Sequence, residues 1–223
     1  MFAVIFEVRP KKERLHDYLA LAGQLKPKLE AIDGFVDNER FRSKREEGRV
    51  LSLSIWRDEK AVVRWRTEGE HHGVQEKGRF EVFEDYHLRV GQIAFDSDPS
   101  ARLTVEPERR DETDEGQAKM VTITEVVAAA PDGLLAASLG FDPAAAGLVD
   151  HELFESITDP GKRLLLTSWL TAEAARSWKP TRPAAARSLR HRRVRIIRDY
   201  GMFERREAPQ FYPAVERAQP AIG

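Results

Sequence analysis

The segment GFVDNERFRS at residues 34–43 returns as GLVDHELFES at residues 147–156, 113 residues further on. Carried on without a gap, the same offset sets Gly48 on Gly161, Leu51 on Leu164, Leu53 on Leu166, Trp56 on Trp169, Ala61 on Ala174 and Trp65 on Trp178. Twelve of the thirty-two positions from 34 to 65 are identical, and two of these matches are tryptophan. Asp85-Tyr86 also recurs as Asp199-Tyr200, one residue beyond that offset. Self-similarity at a fixed period marks a duplicated structural unit. The chain is therefore expected to hold two copies of one unit in tandem.

Within the first copy, residues 2–9 alternate Phe2, Val4, Phe6 and Val8 against Ala3, Ile5 and Glu7, the period of a strand. Pro10 suits the start of a helix. Leu15, Leu19, Ala22, Leu25, Leu29 and Ile32 then give one apolar stripe, which Pro27 should kink or split. Gly34 can close that helix in the left-handed conformation. Val36 to Ser43 and Val50 to Trp56 read as a hairpin around Glu46-Glu47-Gly48. Asp58 can cap a second helix, Glu59 to about Thr67, with Ala61, Val62 and Trp65 on its apolar face. Arg79 to Val90 reads as a long strand, with Phe80, Val82 and Tyr86 on one face and Phe83 opposite.

The second copy repeats the order: a strand over Met120 to Val127, a short helix near Pro131 to Leu139, a hairpin over Gly147 to Ser156 and Arg163 to Trp169, a helix capped by Thr171 and cut short by Pro180, and a last strand over Arg193 to Phe203. The expected boundaries are 1–95 for the first unit, 96–118 for a polar linker, 119–204 for a degenerate second unit and 205–223 for an irregular tail.

The fold class that follows is α+β, two tandem ferredoxin-like β-α-β-β-α-β units. Helices cover only one face of such a sheet. The apolar character of both strand faces predicts that the two antiparallel sheets pack into one barrel within a single chain. This intrachain pseudo-dimer leaves room for a further homodimer.

Composition narrows the function classes. A net charge of −1 provides no field for nucleic acid or an anionic membrane, and the absence of cysteine excludes thiolate chemistry. The arginines from Arg187 to Arg198 alternate with Val194 and Ile196 and read as a solvated strand face, not as phosphate contacts. No apolar run approaches the roughly 20 residues of a membrane span, and Met1 to Val8 is too short for a signal peptide. The expectation is a cytoplasmic protein with no nucleic-acid or membrane partner. P-loop, dinucleotide and nucleophile-elbow motifs are missing. The adjacent pair His71-His72 lacks the spacing of two metal ligands on one helix face, so no dedicated metal site is expected.

The order of elements resembles the dimeric α+β barrel superfamily. Phe2 to Val8, the Gly34-Phe35 turn, Leu51 to Asp58, and Trp65 followed by His71-His72 are similar to the antibiotic biosynthesis monooxygenase family. The resemblance covers residues 2 to about 93 directly and 119–203 through the repeat. It implies a pocket between helices and sheet in each unit, walled by a helical Trp, here Trp65 and Trp178. It also implies oxidation of an aromatic or otherwise apolar small molecule by O2 without metal or flavin, with a heme-binding or heme-degrading protein as the alternative and a non-catalytic ligand-binding or structural barrel as a third reading. The chain departs from the family's patterns. The quinol oxygenases' Asn one turn before the Trp is Ala61 here, and their Tyr after it is His71. The heme degraders' first-strand Asn falls nearest Glu7, and their iron-ligating His is Gln75.

The candidate catalytic residues are His72 and His71, whose imidazoles can take a proton from a phenolic substrate near neutral pH. A helix continuing from Trp65 would put His72 on the same face. Trp65, Glu7, Phe83 and Tyr86 are the candidate substrate contacts. No cofactor is expected, with heme as the alternative. Copy two offers no histidine at the matching stretch, Thr181 to Ala185. Copy one is therefore expected to work and copy two to support it.

Overall fold

The computed structural model describes residues 1–101, 110–129 and 136–216. Among them, the first unit runs β1 (Phe2–Pro10), α1 (Leu15–Ala31), β2 (Phe35–Ser43), β3 (Val50–Trp56), α2 (Glu59–Arg66), α3 (Gly69–Lys77), a wide π-type turn (Gly78–Val82) and β4 (Phe83–Asp96). The second runs β5 (Met120–Ala128), a 3-10 turn (Ala136–Leu139), β6 (Leu148–Ser156), β7 (Lys162–Trp169), α4 (Ala172–Ser177) and β8 (Ala186–Gly201).

The strands close into one barrel in the order β1-β3-β2-β6-β7-β5-β8-β4, with antiparallel neighbours throughout. Each half has the ferredoxin-like order, and the halves join at two seams, β2 with β6 and β4 with β8. One chain thus builds both halves, as the two-sided apolar pattern required.

The alternation along β1 separates two environments. Ala3 and Ile5 point inward, with Phe41, Leu51, Leu53, Val121, Ile123, Phe154, Leu164, Val194 and Ile196 in one core. Phe2 and Val4 point outward, under α1 and α2, beside Trp56, Val62 and Val90. Burying each of the Val, Leu, Ile and Phe side chains contributes roughly 1.5–3 kcal/mol.

The repeated residues are joints common to both halves. Gly34 and Gly147 have φ of +94° and +80°, and a Cβ on either would lie 2.6 Å from Ala61 or 2.7 Å from Ala174. Glycine with alanine opposite is what lets the helix sit this close to the turn. Asp58 caps α2 through Ala61 N at 2.8 Å, and Thr171 caps α4 through Ala174 N at 3.2 Å. The Trp56 indole donates to Ser54 and the Trp169 indole to Thr167, at 2.9 and 2.7 Å.

The register corrects several expectations. Phe2 pairs with Trp56 and Gln92, and Met120 pairs with Trp169 and Arg195. The repeat offset is therefore 118 at the first strand and 103 at the last, around 113 in the hairpin. Copy two is shortened in both helical connections. Tyr200 pairs with Leu88 across the seam, so Asp199-Tyr200 is not the structural counterpart of Asp85-Tyr86. Pro10 ends β1 instead of starting a helix, and α1 runs unbroken through Pro27. Residues 79–82 belong to the π-type turn, and β4 begins at Phe83. The register shift at Arg9/Pro10 brings Phe83 into the same apolar cluster as Tyr86 instead of the opposite face. Of the helix expected near Pro131 to Leu139, residues 136–139 form a 3-10 turn and residues 130–135 lie outside the described residues, as do 102–109 of the linker and 217–223 of the tail. The arginines of β8 are not a uniformly solvated face: Arg190 and Arg192 pair with the buried Asp96, and Arg192 also with Glu125.

Candidate active site

A cavity of about 210 Å³ lies between the outer face of the first half-sheet and the helices α1, α2 and α3. Val4, Phe6, Ser52, Leu88 and Val90 form its floor, and Tyr18, Leu21, Leu25 and Val62 form its helical walls. Trp65, His71, Phe83 and Tyr86 line it. His72 and Glu7 do not.

The break between α2 and α3 decides which histidine enters. Helix α2 ends at Arg66, and Glu68 caps α3 by accepting from His71 N at 2.8 Å. The interruption turns the helical face, so His71 and not His72 meets Trp65. The two rings stack with centroids 4.0 Å apart and an interplanar angle of 16°. His71 Nδ1 lies 2.9 Å from the Trp65 carbonyl oxygen. A carbonyl only accepts, so Nδ1 carries the proton and Nε2 keeps its lone pair. Burial pushes the His71 pKa down to about 4, against the raising effect of the Trp65 carbonyl. The ring is therefore neutral at pH 7, a fixed acceptor in an apolar wall.

His72 is exposed and faces the C-terminal tail instead. Its Nδ1 is 3.0 Å from the Tyr212 hydroxyl, and the rings stack at 5.4 Å. Tyr212 also donates to Gln75 Oε1 at 3.1 Å, and Gln210 donates to the Arg66 carbonyl at 3.1 Å. Residues Arg205, Pro209, Gln210 and Tyr212 thereby complete the cavity wall. The expectation of an irregular tail over 205–223 missed this role. The aromatic pair Phe211-Tyr212 between Pro209 and Pro213 was the only available hint.

Glu7 points to the other side of β1, into the barrel, because it shares the parity of Ala3 and Ile5. It pairs there with Arg89 and, at 2.6 Å, with Arg49. Burial opposes its charge, but these arginines hold the carboxyl below its usual range.

The corresponding space in copy two is packed. Trp178 stacks toward Trp169 at 6.4 Å and meets Phe141 edge-on at 5.3 Å, with Leu139 fully buried beside them. Copy two has no counterpart of α3: α4 ends at Ser177 and β8 begins at Ala186.

A family model described as antibiotic biosynthesis monooxygenase matches residues 1–77. Jasmonate monooxygenase ABM of Pyricularia oryzae is 44% identical over 220 residues, covering 96% of this chain and 99% of that protein. The chain belongs to the antibiotic biosynthesis monooxygenase family. The uncharacterized protein YqjZ of Bacillus subtilis is 32% identical over 92 residues, 41% of this chain and 78% of that protein. The crystal structure of an aldoxime dehydratase shares the fold, with a TM-score of 0.51 at 12% identity over 87% of this chain and 80% of that one.

Ala61 is fully buried against Gly34 and takes no part in the cavity wall. His71 stands in the wall on α3, and Gln75 lines the cavity one helical turn later. No helix of the described residues is long and apolar enough to cross a membrane.

Proposed function

We propose that the chain is a cofactor-independent monooxygenase that binds a small apolar or aromatic molecule in the cavity of copy one and oxidises it with O2. The observation that carries this reading is the stacked Trp65–His71 pair, which presents an unprotonated imidazole Nε2 in a largely apolar cavity. The relative from Pyricularia oryzae has jasmonate in its name. A small, mostly apolar substrate of that kind agrees with the cavity's lining.

The chemistry needs a substrate with an acidified C–H, such as a methylene flanked by aryl or carbonyl groups. His71 Nε2 takes the proton, and the carbanion transfers an electron to O2 and combines with it. Loss of the second hydrogen and cleavage of the O–O bond leave a carbonyl on carbon and release water. All four electrons come from the methylene, so no external reductant enters. Trp65 holds the flat substrate, and the closed wall excludes water from the carbanion.

At the position of the heme degraders' iron ligand stands Gln75, whose amide is not among heme's protein ligands, and this favours the cofactor-independent reading over the heme alternative. Among the described residues, no group of three His, Asp or Glu could hold a metal.

Oxygen uptake with a panel of anthrones and quinols tests the proposal. Uptake that is lost on Trp65→Ala and His71→Ala is expected. A panel without turnover, or turnover indifferent to both substitutions, would overturn it.

A further inference from the structure

Five arginines line the cavity, Arg40, Arg66, Arg79, Arg198 and Arg205, against one carboxylate, Glu59. Among the described residues, none of the five has a carboxylate at ion-pair distance. Two buried arginines elsewhere in the barrel behave differently. The buried Arg89 is paired with Glu7, and the buried Arg192 with Asp96 and Glu125. Buried charges are ordinarily paired, because desolvation of a lone charge is expensive. The cavity is where that pairing is left out.

Arg79 is the most deeply buried of the five. It is 2% exposed, and its Nε has no hydrogen-bond partner. Its Nη1 donates to the Met202 carbonyl at 2.6 Å and to the Tyr86 hydroxyl at 3.1 Å. Arg205 Nη1 donates to the same Tyr86 hydroxyl at 2.7 Å. Two guanidiniums thus converge on one neutral oxygen in the cavity wall. Like charges so close repel, and an anion between them relieves the repulsion while gaining charge-assisted hydrogen bonds.

We infer that the ligand is an apolar molecule bearing one carboxylate, and that this carboxylate sits between Arg79 and Arg205 beside Tyr86. The inference rests on the cavity being the substrate pocket and names its substrate class. Arg205 belongs to the C-terminal tail, so the tail delivers half of the anion site. The second terminal nitrogen of Arg205, Nη2, donates to the Gln210 carbonyl at 2.8 Å, and the guanidinium lies 5.3 Å from the Tyr212 ring. An anion on Arg205 therefore fastens the segment that closes the cavity. The apolar body of the ligand extends toward Trp65 and His71.

Calorimetric titration with 1-naphthaleneacetate and its neutral amide, 1-naphthaleneacetamide, tests this on the full chain. The acid is expected to bind about tenfold tighter or more, the size of one or two hydrogen bonds to a charged group. Arg205→Gln should weaken the acid several-fold more than the amide, and Arg205→Lys should keep part of the difference. Equal affinities in the wild type, or an equal loss of both probes in Arg205→Gln, would overturn the inference. Binding of neither probe would overturn it too, and the oxygen-uptake panel then tells whether the pocket reading falls with it.

Discussion

His71 carries the chemical side of this account, and its environment makes two specific demands. The ring is held neutral by burial, with a pKa of about 4 in place of 6.5. A base with that pKa is already deprotonated across the neutral range. The pH profile of kcat/KM should therefore lack a histidine inflection near 6.5 and fall only as pH drops toward about 4. An inflection near 6.5 would mean that another group is the base. His71→Ala should cost about 10²–10⁴ in kcat, the usual range for a general base. His72→Ala should leave kcat near wild type, because His72 faces Tyr212 outside the cavity. The same burial links folding to pH. His191 is also pushed down to about 4 by burial, with Arg193 acting in the same direction. In the unfolded chain both histidines take up protons near 6.5, so stability is expected to fall as pH goes from about 6.5 to 4. Denaturant midpoints across that window check it, and a smaller slope is expected in a His191→Gln variant.

At the level of elements, the helical connections separate the two copies more than the strands do. The strands and the Gly34/Gly147 joints were legible because they rest on local alternation, turn chemistry and identical residues. A Gly34→Ala or Gly147→Ala substitution meets positive φ and an opposing alanine together, and should destabilise by about 1–3 kcal/mol in a denaturant titration. The site was only half legible. Trp65 and Tyr86 follow from helix and strand parity, but Phe83 joins Tyr86 only through the register shift at Arg9/Pro10, and the interruption at Thr67-Glu68 puts His71 instead of His72 beside Trp65. The tail could not be placed at all, since its position depends on contacts with α3 more than 130 residues away. Truncation after Ala208 keeps Arg205 and removes Gln210 and Tyr212. It should weaken ligand binding through faster release while the melting temperature changes little. Unchanged release kinetics would show that the tail does not close the cavity.

At the level of the molecule, the duplication resolves how a half-barrel that needs a partner can function as one chain. The two halves share an inner core and two seams, and Gly91 lies where β4 meets β8. A Cβ there would fall 2.2 Å from the Arg195 carbonyl oxygen. Gly91→Ala is expected to lower stability by about 1–3 kcal/mol in a single transition that both halves share. Separate transitions would show that the halves fold independently. Copy two has no helix between α4 and β8, and Leu139 and Phe141 fill the space beside Trp178. The most direct test of this division of labour is a crystal structure of the full chain with an anthrone or quinol that drives oxygen uptake. Ligand density against Trp65 and His71 is expected, with Trp178 still packed on Phe141. Density beside Trp178, or a ligand held elsewhere with the Trp65 cavity empty, would contradict it.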